Sequence, residues 1–202
     1  MHLFNTPIAN AIADVEVCDN ALDGDDSNGI VTTTLVDLTA TVLGSQDPMA
    51  YTVTFHDTQA DADSGDNPLP DDYQNTEVDI EEVFVRIENN LNSDCFDTTS
   101  FNIIVNMLPE SFDTSLFQCD EDGIPEGFTL FNLTEANDAL TGGIPDRSTK
   151  FFTSLVDAQN DENEIDGTSF SNWENPQTIY VHVIDNITGC YSIAELLLEV
   201  SA

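Results

Sequence analysis

Four cysteines are the most reactive groups in this 202-residue sequence. None stands in the Cys-x-x-Cys spacing that is typical of zinc sites and dithiol catalysis. Four cysteines allow three pairings, and only Cys18–Cys95 with Cys119–Cys190 makes each half of the chain self-contained. In the chain-entropy model each such bridge stabilises the fold by about 4 kcal/mol. We therefore predict two bridges formed in an oxidising compartment, with four buried free thiols as the alternative.

Clustered aspartates could bind metal, because Ca²⁺ prefers carboxylate oxygens on adaptable loop backbone. One pair of clusters follows the first cysteine of each half, and a second pair follows Phe55 and Phe151. The predicted calcium ligands are Asp19, Asp23, Asp25, Asp26, Asp57, Asp61, Asp63, Asp120, Asp122, Asp157 and Asp161. Asp19 and Asp120 are the best candidates, since each directly follows a first cysteine. No loop matches the EF-hand pattern, so the alternative is a solvated acidic loop without a specific ion.

Histidines and known motifs give no sign of an active site. His56 and His182 do not recur as histidine in the other half, and His182 is predicted to be a solvent-facing strand residue. The nucleophile elbow, the zinc-protease motif and the Walker loop are absent from the sequence. Trp173 could stack on a sugar, but it aligns near Asn75, so a packed or merely capping Trp is the favoured interpretation. We expect that the chain is not an enzyme.

The charge balance limits the possible partners. Thirty-nine Asp and Glu residues face three Lys and Arg residues, which gives a formal net charge of −36. Nucleic acid and anionic membrane surfaces are excluded because binding them requires clustered basic side chains. Membrane insertion is not expected either, since no run of about 18 apolar residues is present. Self-repulsion disfavours the compact state, so salt or bound cations such as calcium must offset it.

An internal repeat organises the chain. Val83–Ile87 recurs as Ile179–Val183 at an offset of 96 residues, whereas the two first cysteines are 101 residues apart. We therefore expect about six additional residues in the loop after Cys18. The repeat predicts two domains, residues 1–107 and 108–202, and each is long enough to bury its own core.

Period-2 alternation of β-branched and aromatic residues predicts half-buried strands in both halves. The predicted strands are Tyr51–Phe55, Val83–Ile87, Phe101–Val105, Ile179–Val183 and Leu196–Val200. A short helix is expected at Thr134–Leu140, with Thr134 as its N-cap. Thr34–Thr39 and Thr129–Thr134 are expected to occupy the same place in the two halves. The pattern favours an all-β fold with two tandem immunoglobulin-like β-sandwich repeats, in the sense of architecture only.

Several segments resemble a repeat of giant surface adhesins from gliding Bacteroidetes. They are Cys119–Gly123, Pro176–Val183, Thr188–Tyr191 and Leu196–Val200. The resemblance covers nearly the whole chain, and it departs in the first half, where Glu77–Glu82 stands in place of the Pro-Gln-Thr phrase. It implies export by the type IX secretion system, display on the cell surface, many tandem units and stiffening by calcium.

The preferred function is a structural or adhesive repeat of a secreted bacterial cell-surface protein. Such a unit would be a disulfide-closed, calcium-stiffened part of a stalk, and its partners would be the neighbouring repeats of the same chain. Two alternatives are a glycan- or ligand-binding module and an accessory domain of a secreted hydrolase. A groove that holds Trp173 with Tyr191 or Phe170 would favour glycan binding.

Overall fold

The computed structural model of the protein describes residues 4–120 and 126–201. These residues fall into two units, Met1–Met107 and Leu108–Ala202. Each unit has its own apolar core. Within the described ranges, no helix has both the length and the apolar character needed to cross a membrane.

The first unit is built on a four-stranded sheet and a small two-stranded sheet. Its strands are β1 (Val15–Cys18), β2 (Thr32–Thr34), β3 (Tyr51–His56), β4 (Asp72–Gln74), β5 (Ile80–Asn89) and β6 (Asn92–Asn106). The large sheet has the order β1-β6-β5-β3, and β2 pairs with β4. The pairing of β1 with β6 is parallel, whereas the other pairings are antiparallel. Two short helices, α1 (Thr39–Leu43) and α2 (Gln59–Ser64), connect the strands.

The second unit repeats this topology. Its strands are β7 (Thr114–Cys119), β8 (Leu130–Phe131), β9 (Arg147–Phe152), β10 (Phe170–Ser171), β11 (Gln177–Asp185) and β12 (Tyr191–Ser201). The large sheet has the order β7-β12-β11-β9, and β8 pairs with β10. Its short helices are α3 (Asn137–Thr141) and α4 (Leu155–Asn160).

The cores explain why both units are sandwiches. Val83, Val85 and Ile87 alternate along β5 and are fully buried, and they belong to one cluster with Tyr73 of the small sheet. Each such side chain contributes about 1.5–3 kcal/mol when it is removed from water. The equivalent residues of β11 are buried in the same way in the second unit. The prediction of two tandem all-β sandwich repeats is therefore confirmed.

The predicted equivalence of Thr34–Thr39 and Thr129–Thr134 is wrong by three residues. A 3₁₀ turn begins at Leu35 in the first unit and at Leu133 in the second, and both leucines are fully buried. Leu130, the predicted counterpart of Leu35, is exposed. The two segments share a Thr-Leu-x-x-Leu-Thr pattern, which fits more than one register, and burial selects the leucine that follows the short strand.

The helix predicted at Thr134–Leu140 is present as this 3₁₀ turn followed by α3. Its N-cap position is Asn132 rather than Thr134. The Thr134 hydroxyl donates to Asn132 Oδ1 at 2.6 Å. Thr134, which was expected to cap the helix, is therefore the second residue of the turn, and its hydroxyl donates to the residue at the cap position.

Candidate functional site

The first cysteine of each unit lies at the end of the sheet from which the chain leaves the unit. Cys18 is the last residue of β1 and stands opposite Asn106, the last residue of β6. Cys119 is the last residue of β7 and stands opposite Ser201 in the same way. Because the two strands are parallel, their carboxyl ends meet at one edge, which we call the outgoing end.

The second cysteine lies at the opposite edge, where the chain enters the unit. The Ala9 backbone N–H donates to Asp97 Oδ2 at 2.8 Å, two residues beyond Cys95. The Ser192 hydroxyl donates to the Pro109 carbonyl at 2.8 Å, two residues beyond Cys190. The incoming segment of each unit thus passes beside its second cysteine, and we call this edge the incoming end.

This arrangement rules out a bridge within a unit. Cys95 precedes Asn106 by eleven residues along β6, a span of ~36 Å for an extended strand. Cys190 precedes Ser201 by the same number of residues. A disulfide requires Cα atoms about 4.4–6.8 Å apart, so the two cysteines of one unit lie far beyond reach of each other.

The states of the sulfurs agree with this geometry. Cys18 and Cys190 are disulfide-bonded, whereas Cys95 and Cys119 carry free thiols. The predicted bridges Cys18–Cys95 and Cys119–Cys190 are therefore wrong. The prediction assumed that each half closes on itself, and it lacked the parallel pairing that sends the two cysteines of a unit to opposite ends.

The aspartate after each first cysteine closes the loop at the outgoing end. Asp19 is buried, and its Oδ2 accepts from the Gly29 N–H at 2.7 Å. Asp120 Oδ2 accepts from the Gly127 N–H at 3.0 Å. The two glycines have φ of 71° and 80°, in the left-handed region that favours glycine. The equivalence of Gly29 and Gly127 places three additional residues in the first unit's loop instead of the predicted six.

In each unit a buried asparagine forms hydrogen bonds to this loop, a role that the sequence analysis did not identify. Asn172 Oδ1 accepts from the Thr129 N–H at 2.7 Å, and its Nδ2 donates to the carbonyls of Gly127 and Glu174, both at 2.9 Å. Asn75 makes the equivalent three bonds in the first unit. The available signal was an asparagine at an offset of 97 in both halves, but no predicted strand or motif drew attention to it.

Two other predicted ligands, Asp61 and Asp157, belong to helix caps. Thr58 accepts a hydrogen bond from the Asp61 N–H at 3.1 Å and donates its hydroxyl to Asp61 Oδ2 at 2.6 Å, which fixes the start of α2. Ser154 and Asp157 make the same pair of bonds at the start of α4. These hydroxyl bonds hold the pKa of both carboxyls below the usual value.

The remaining predicted ligands engage in local contacts or lie on the surface. Asp23 accepts from Asn28, Asp25 from Ser27, Asp63 from Gln59, and Asp161 from Lys150. Asp26 and Asp57 are exposed, and Asp122 lies outside the described residues. Within residues 4–120 and 126–201, no three acidic, His or Cys side chains converge as a metal site would require. The assignment of calcium to these loops therefore stays a prediction.

Arg86 and His182 occupy the same position in the two units, and both are buried. His182 is therefore not the solvent-facing residue that the sequence predicted. Its Nε2 lies 2.6 Å from the Ala158 carbonyl of α4, and its ring stacks on Tyr191 at 3.8 Å. Arg86 donates to the Ala62 carbonyl of α2 at 2.9 Å and lies over the Phe96 ring.

Of the two aromatic pairs that would favour glycan binding, the structure brings together Trp173 and Phe170. Tyr191 is engaged by His182, whereas Trp173 contacts the edge of Phe170 with ring centroids 5.6 Å apart. Phe170 is buried and Trp173 is 56% exposed. Because Phe170 is buried, Trp173 supplies the exposed ring of this pair.

A family model described as the Flavobacterium inter-domain disulphide bond domain matches residues 14–109 and again residues 115–202. No curated protein matches the chain.

Two solved structures show a distant similarity. One is "Protocadherin Gamma B2 extracellular cadherin domains 1-5", at 10% identity and a TM-score of 0.24, over 98% of this chain and 40% of that one. The other is the Bacteroides ovatus mixed-linkage glucan utilization locus SGBP-B in complex with a mixed-linkage heptasaccharide. That match has 12% identity and a TM-score of 0.23, over 94% of this chain and 43% of that one. The chain spans less than half of either structure.

Proposed function

The chain belongs to the family of Flavobacterium inter-domain disulphide bond domains, with two copies in tandem, and we propose that it is a stalk segment whose neighbouring repeats are joined by a cystine. The observation that carries the proposal is the placement of the two cysteines of each unit at opposite ends of the sheet. A repeat with this arrangement cannot close on itself, so any disulfide that it forms must join it to a cysteine outside the repeat.

The connection between the units supports a bond from Cys18 to Cys190. Cys18 stands opposite Asn106, at the outgoing end of the first unit. Pro109 lies beside Ser192, at the incoming end of the second unit. Asn106 and Pro109 are three residues apart, so their Cα atoms are separated by at most ~11 Å. A linker of this length permits a bond between Cys18 and Cys190, as the proposal requires.

Such a bond would serve a mechanical purpose. Tension applied at the chain ends would pass from Cys18 to Cys190 through the sulfurs, so the 171 residues between them would be bypassed. A repeat that unfolds under load would then add no length to the stalk. In the chain-entropy model, closing a loop of this size also stabilises the folded state by about 5 kcal/mol.

The same features support a place outside the cytoplasm. Disulfides form and persist in secreted and surface proteins, where no thiol pool reduces them. With the adhesin-like segments of the sequence, this supports a secreted, surface-displayed adhesin exported by the type IX system as the parent protein. The charge excess also suits an extended surface protein, because like-charged stalks repel one another.

A non-catalytic role is part of the proposal. His56 is fully buried, with Nδ1 2.8 Å from the Asp66 carbonyl and Nε2 2.9 Å from the Thr54 hydroxyl. His182 is buried against Ala158 and Tyr191. Both imidazoles are thus occupied with structural contacts, which makes them poor general bases.

The test is to map the cystine and then to stretch the molecule. Proteolysis without reduction should yield one linked peptide pair that contains Cys18 and Cys190. Single-molecule stretching of the oxidised chain should show no extension from residues 19–189. After reduction, two unfolding steps of about 30 nm each should appear.

The matched control is the double variant Cys18→Ser with Cys190→Ser. It should extend in two steps without any reductant, as the reduced wild type does. The proposal fails if the oxidised wild type already extends in two full steps, or if the linked peptides contain a different pair of cysteines.

A further inference from the structure

A cleft of about 340 Å³ opens at the incoming end of the first unit. Its lining comes from three parts of the chain: the incoming segment at Asn5, residues 47–51 at the start of β3, and residues 89–91 in the turn between β5 and β6. Protein clefts that hold small molecules have volumes of about 300–1,000 Å³. The size of this cleft therefore suits a small ligand.

Hydrogen bonds hold the three parts of the lining against one another. Asn90 Nδ2 donates to the Met49 carbonyl at 3.0 Å, and the Thr52 hydroxyl donates to Asn90 Oδ1 at 2.7 Å. Asn89 Nδ2 donates to the Asn5 carbonyl at 3.0 Å. The cleft is thus formed before a ligand arrives, and little ordering of the chain opposes binding.

Three polar groups of the lining are available to a ligand. Among residues 4–120 and 126–201, no hydrogen bond engages the Asn5 side-chain amide, the Tyr51 hydroxyl or Oδ2 of Asp47. The other oxygen of Asp47 accepts from the Met49 N–H at 2.9 Å, which fixes the carboxylate. A carboxylate accepts hydrogen bonds, whereas an amide and a phenol both donate and accept. This set matches the hydroxyl groups of a sugar, which also donate and accept.

Charge and apolar surface narrow the class of ligand. No Lys or Arg lines the cleft, and the net charge of −36 repels anions. Asp47 is the single carboxylate of the lining, whereas a calcium ion requires six to eight oxygen ligands. Met49 and Leu91 are 84% and 81% exposed and offer apolar contact to the C–H groups of a sugar ring. We propose that this cleft binds a neutral saccharide.

The second unit has different side chains at the equivalent positions. Tyr51 pairs with Asn89 across β3 and β5, as Arg147 pairs with Asp185 across β9 and β11. Arg147 and Asp185 form an ion pair with N and O 2.6 Å apart. Their polar groups are therefore engaged with each other, so the saccharide site belongs to the first unit alone. The site requires no disulfide, and its test is independent of the proposed cystine.

The test is an NMR titration of the ¹⁵N-labelled chain with D-glucose, D-galactose, D-mannose and N-acetyl-D-glucosamine, each added separately. At least one sugar should shift the backbone amide signals of residues 47–51 and 89–91 and the side-chain amide signal of Asn5. Because a single sugar residue offers few contacts, we expect a Kd on the order of 1 mM.

Two variants test the assigned groups. Tyr51→Arg combined with Asn89→Asp introduces the ion pair of the second unit and should weaken binding at least about tenfold, because the pair consumes the polar groups. Asp47→Asn retains an oxygen for the Met49 N–H but loses the charge, and it should weaken binding about fivefold. The matched control is Asp26→Asn, which removes one carboxylate from an exposed loop outside the cleft and should leave the Kd unchanged.

The inference is overturned if none of the four sugars shifts the signals of the cleft, or if the shifts persist at full size in the Tyr51→Arg, Asn89→Asp double variant. An equal loss of affinity in Asp47→Asn and Asp26→Asn would also contradict it, because the effect would then come from net charge. A parallel titration with methylammonium chloride tests the ligand class, and larger shifts at the cleft with this cation than with any sugar would refute a neutral saccharide.

Discussion

At the scale of single residues, several polar residues that recur at equivalent positions of the two units do so because they hold a loop in place. Asp19 and Asp120 recur because each accepts a backbone N–H that closes the loop at the outgoing end. The sequence singled out both positions as candidate calcium ligands, and the structure shows each carboxylate as an acceptor for the loop backbone. A carboxylate that accepts backbone donors and one that binds an ion have the same signature in a sequence, and only the placement of the donors separates them.

The contribution of the Asn172 hydrogen bonds to stability can be tested by substitution. Asn172→Ala leaves the Thr129 N–H and two carbonyls without their buried partner. We expect a loss of about 2–4 kcal/mol in the free energy of unfolding of the second unit. Trp173 is the single Trp of the chain, so its fluorescence in a urea titration reports on this unit.

The control for this substitution is Asn160→Ala, which removes an exposed asparagine from the end of α4. Its effect should stay within about 0.5 kcal/mol, as is usual for surface sites. A loss of equal size in both variants would show that the Asn172 bonds contribute no specific stabilisation.

At the scale of elements, strands were predictable and their partners were not. The alternation of Val83, Val85 and Ile87 is a local pattern, so it is visible without a structure. The parallel pairing of β1 with β6 joins segments about 90 residues apart, and no local pattern encodes it. That pairing decides where the cysteines lie, which is why the strands were predicted correctly and the bridges were not.

The equivalent short helices α2 and α4 are held in place by different side chains in the two units. A buried residue on the central strand reaches the α2 or α4 carbonyl, and it is Arg86 in one unit and His182 in the other. The permanently charged guanidinium also contacts the carbonyls of Asp63 and Ser93. The imidazole can change its charge, so only the second unit gains a dependence on pH at this position.

Burial lowers the pKa of His182 below its ordinary value near 6.5. Between the two values the unfolded chain binds the proton and the folded chain does not. As far as His182 is concerned, the folded second unit therefore has its full stability above pH 6.5 and becomes less stable as the pH falls below that value. We expect the urea midpoint of the second unit, read from Trp173 fluorescence, to be lower at pH 5.5 than at about pH 7.5.

His182→Gln serves as the matched variant, because its amide can still donate to the Ala158 carbonyl but does not titrate in this range. The variant should lose most of the difference between the two pH values. An unchanged pH dependence in His182→Gln would assign the effect to other groups.

At the scale of the whole molecule, the dominant feature is the large excess of acidic over basic residues. The net charge of −36 is present in a chain with three Lys and Arg residues. All three are paired with acids, through Arg86–Glu88, Arg147–Asp185 and Lys150–Asp161. Within the described residues, the basic side chains thus neutralise only a small part of the repulsion, and the solution must supply the rest.

The melting temperature should accordingly rise with NaCl at low ionic strength, because screening reduces repulsion among the exposed carboxylates. If calcium binds as a specific ligand, CaCl₂ must raise the melting temperature more than NaCl does at matched ionic strength. EDTA must then reverse the additional rise. The described carboxylates do not converge, and the loop that contains Asp122 lies outside the described residues. We therefore expect screening to account for most of the change, and calorimetry of the full chain in the two salts measures both parts. Equal melting curves in the two salts would show that calcium does not stabilise the stalk segment as a specific ligand. A melting temperature that does not change with NaCl would show that repulsion among the carboxylates does not limit the stability.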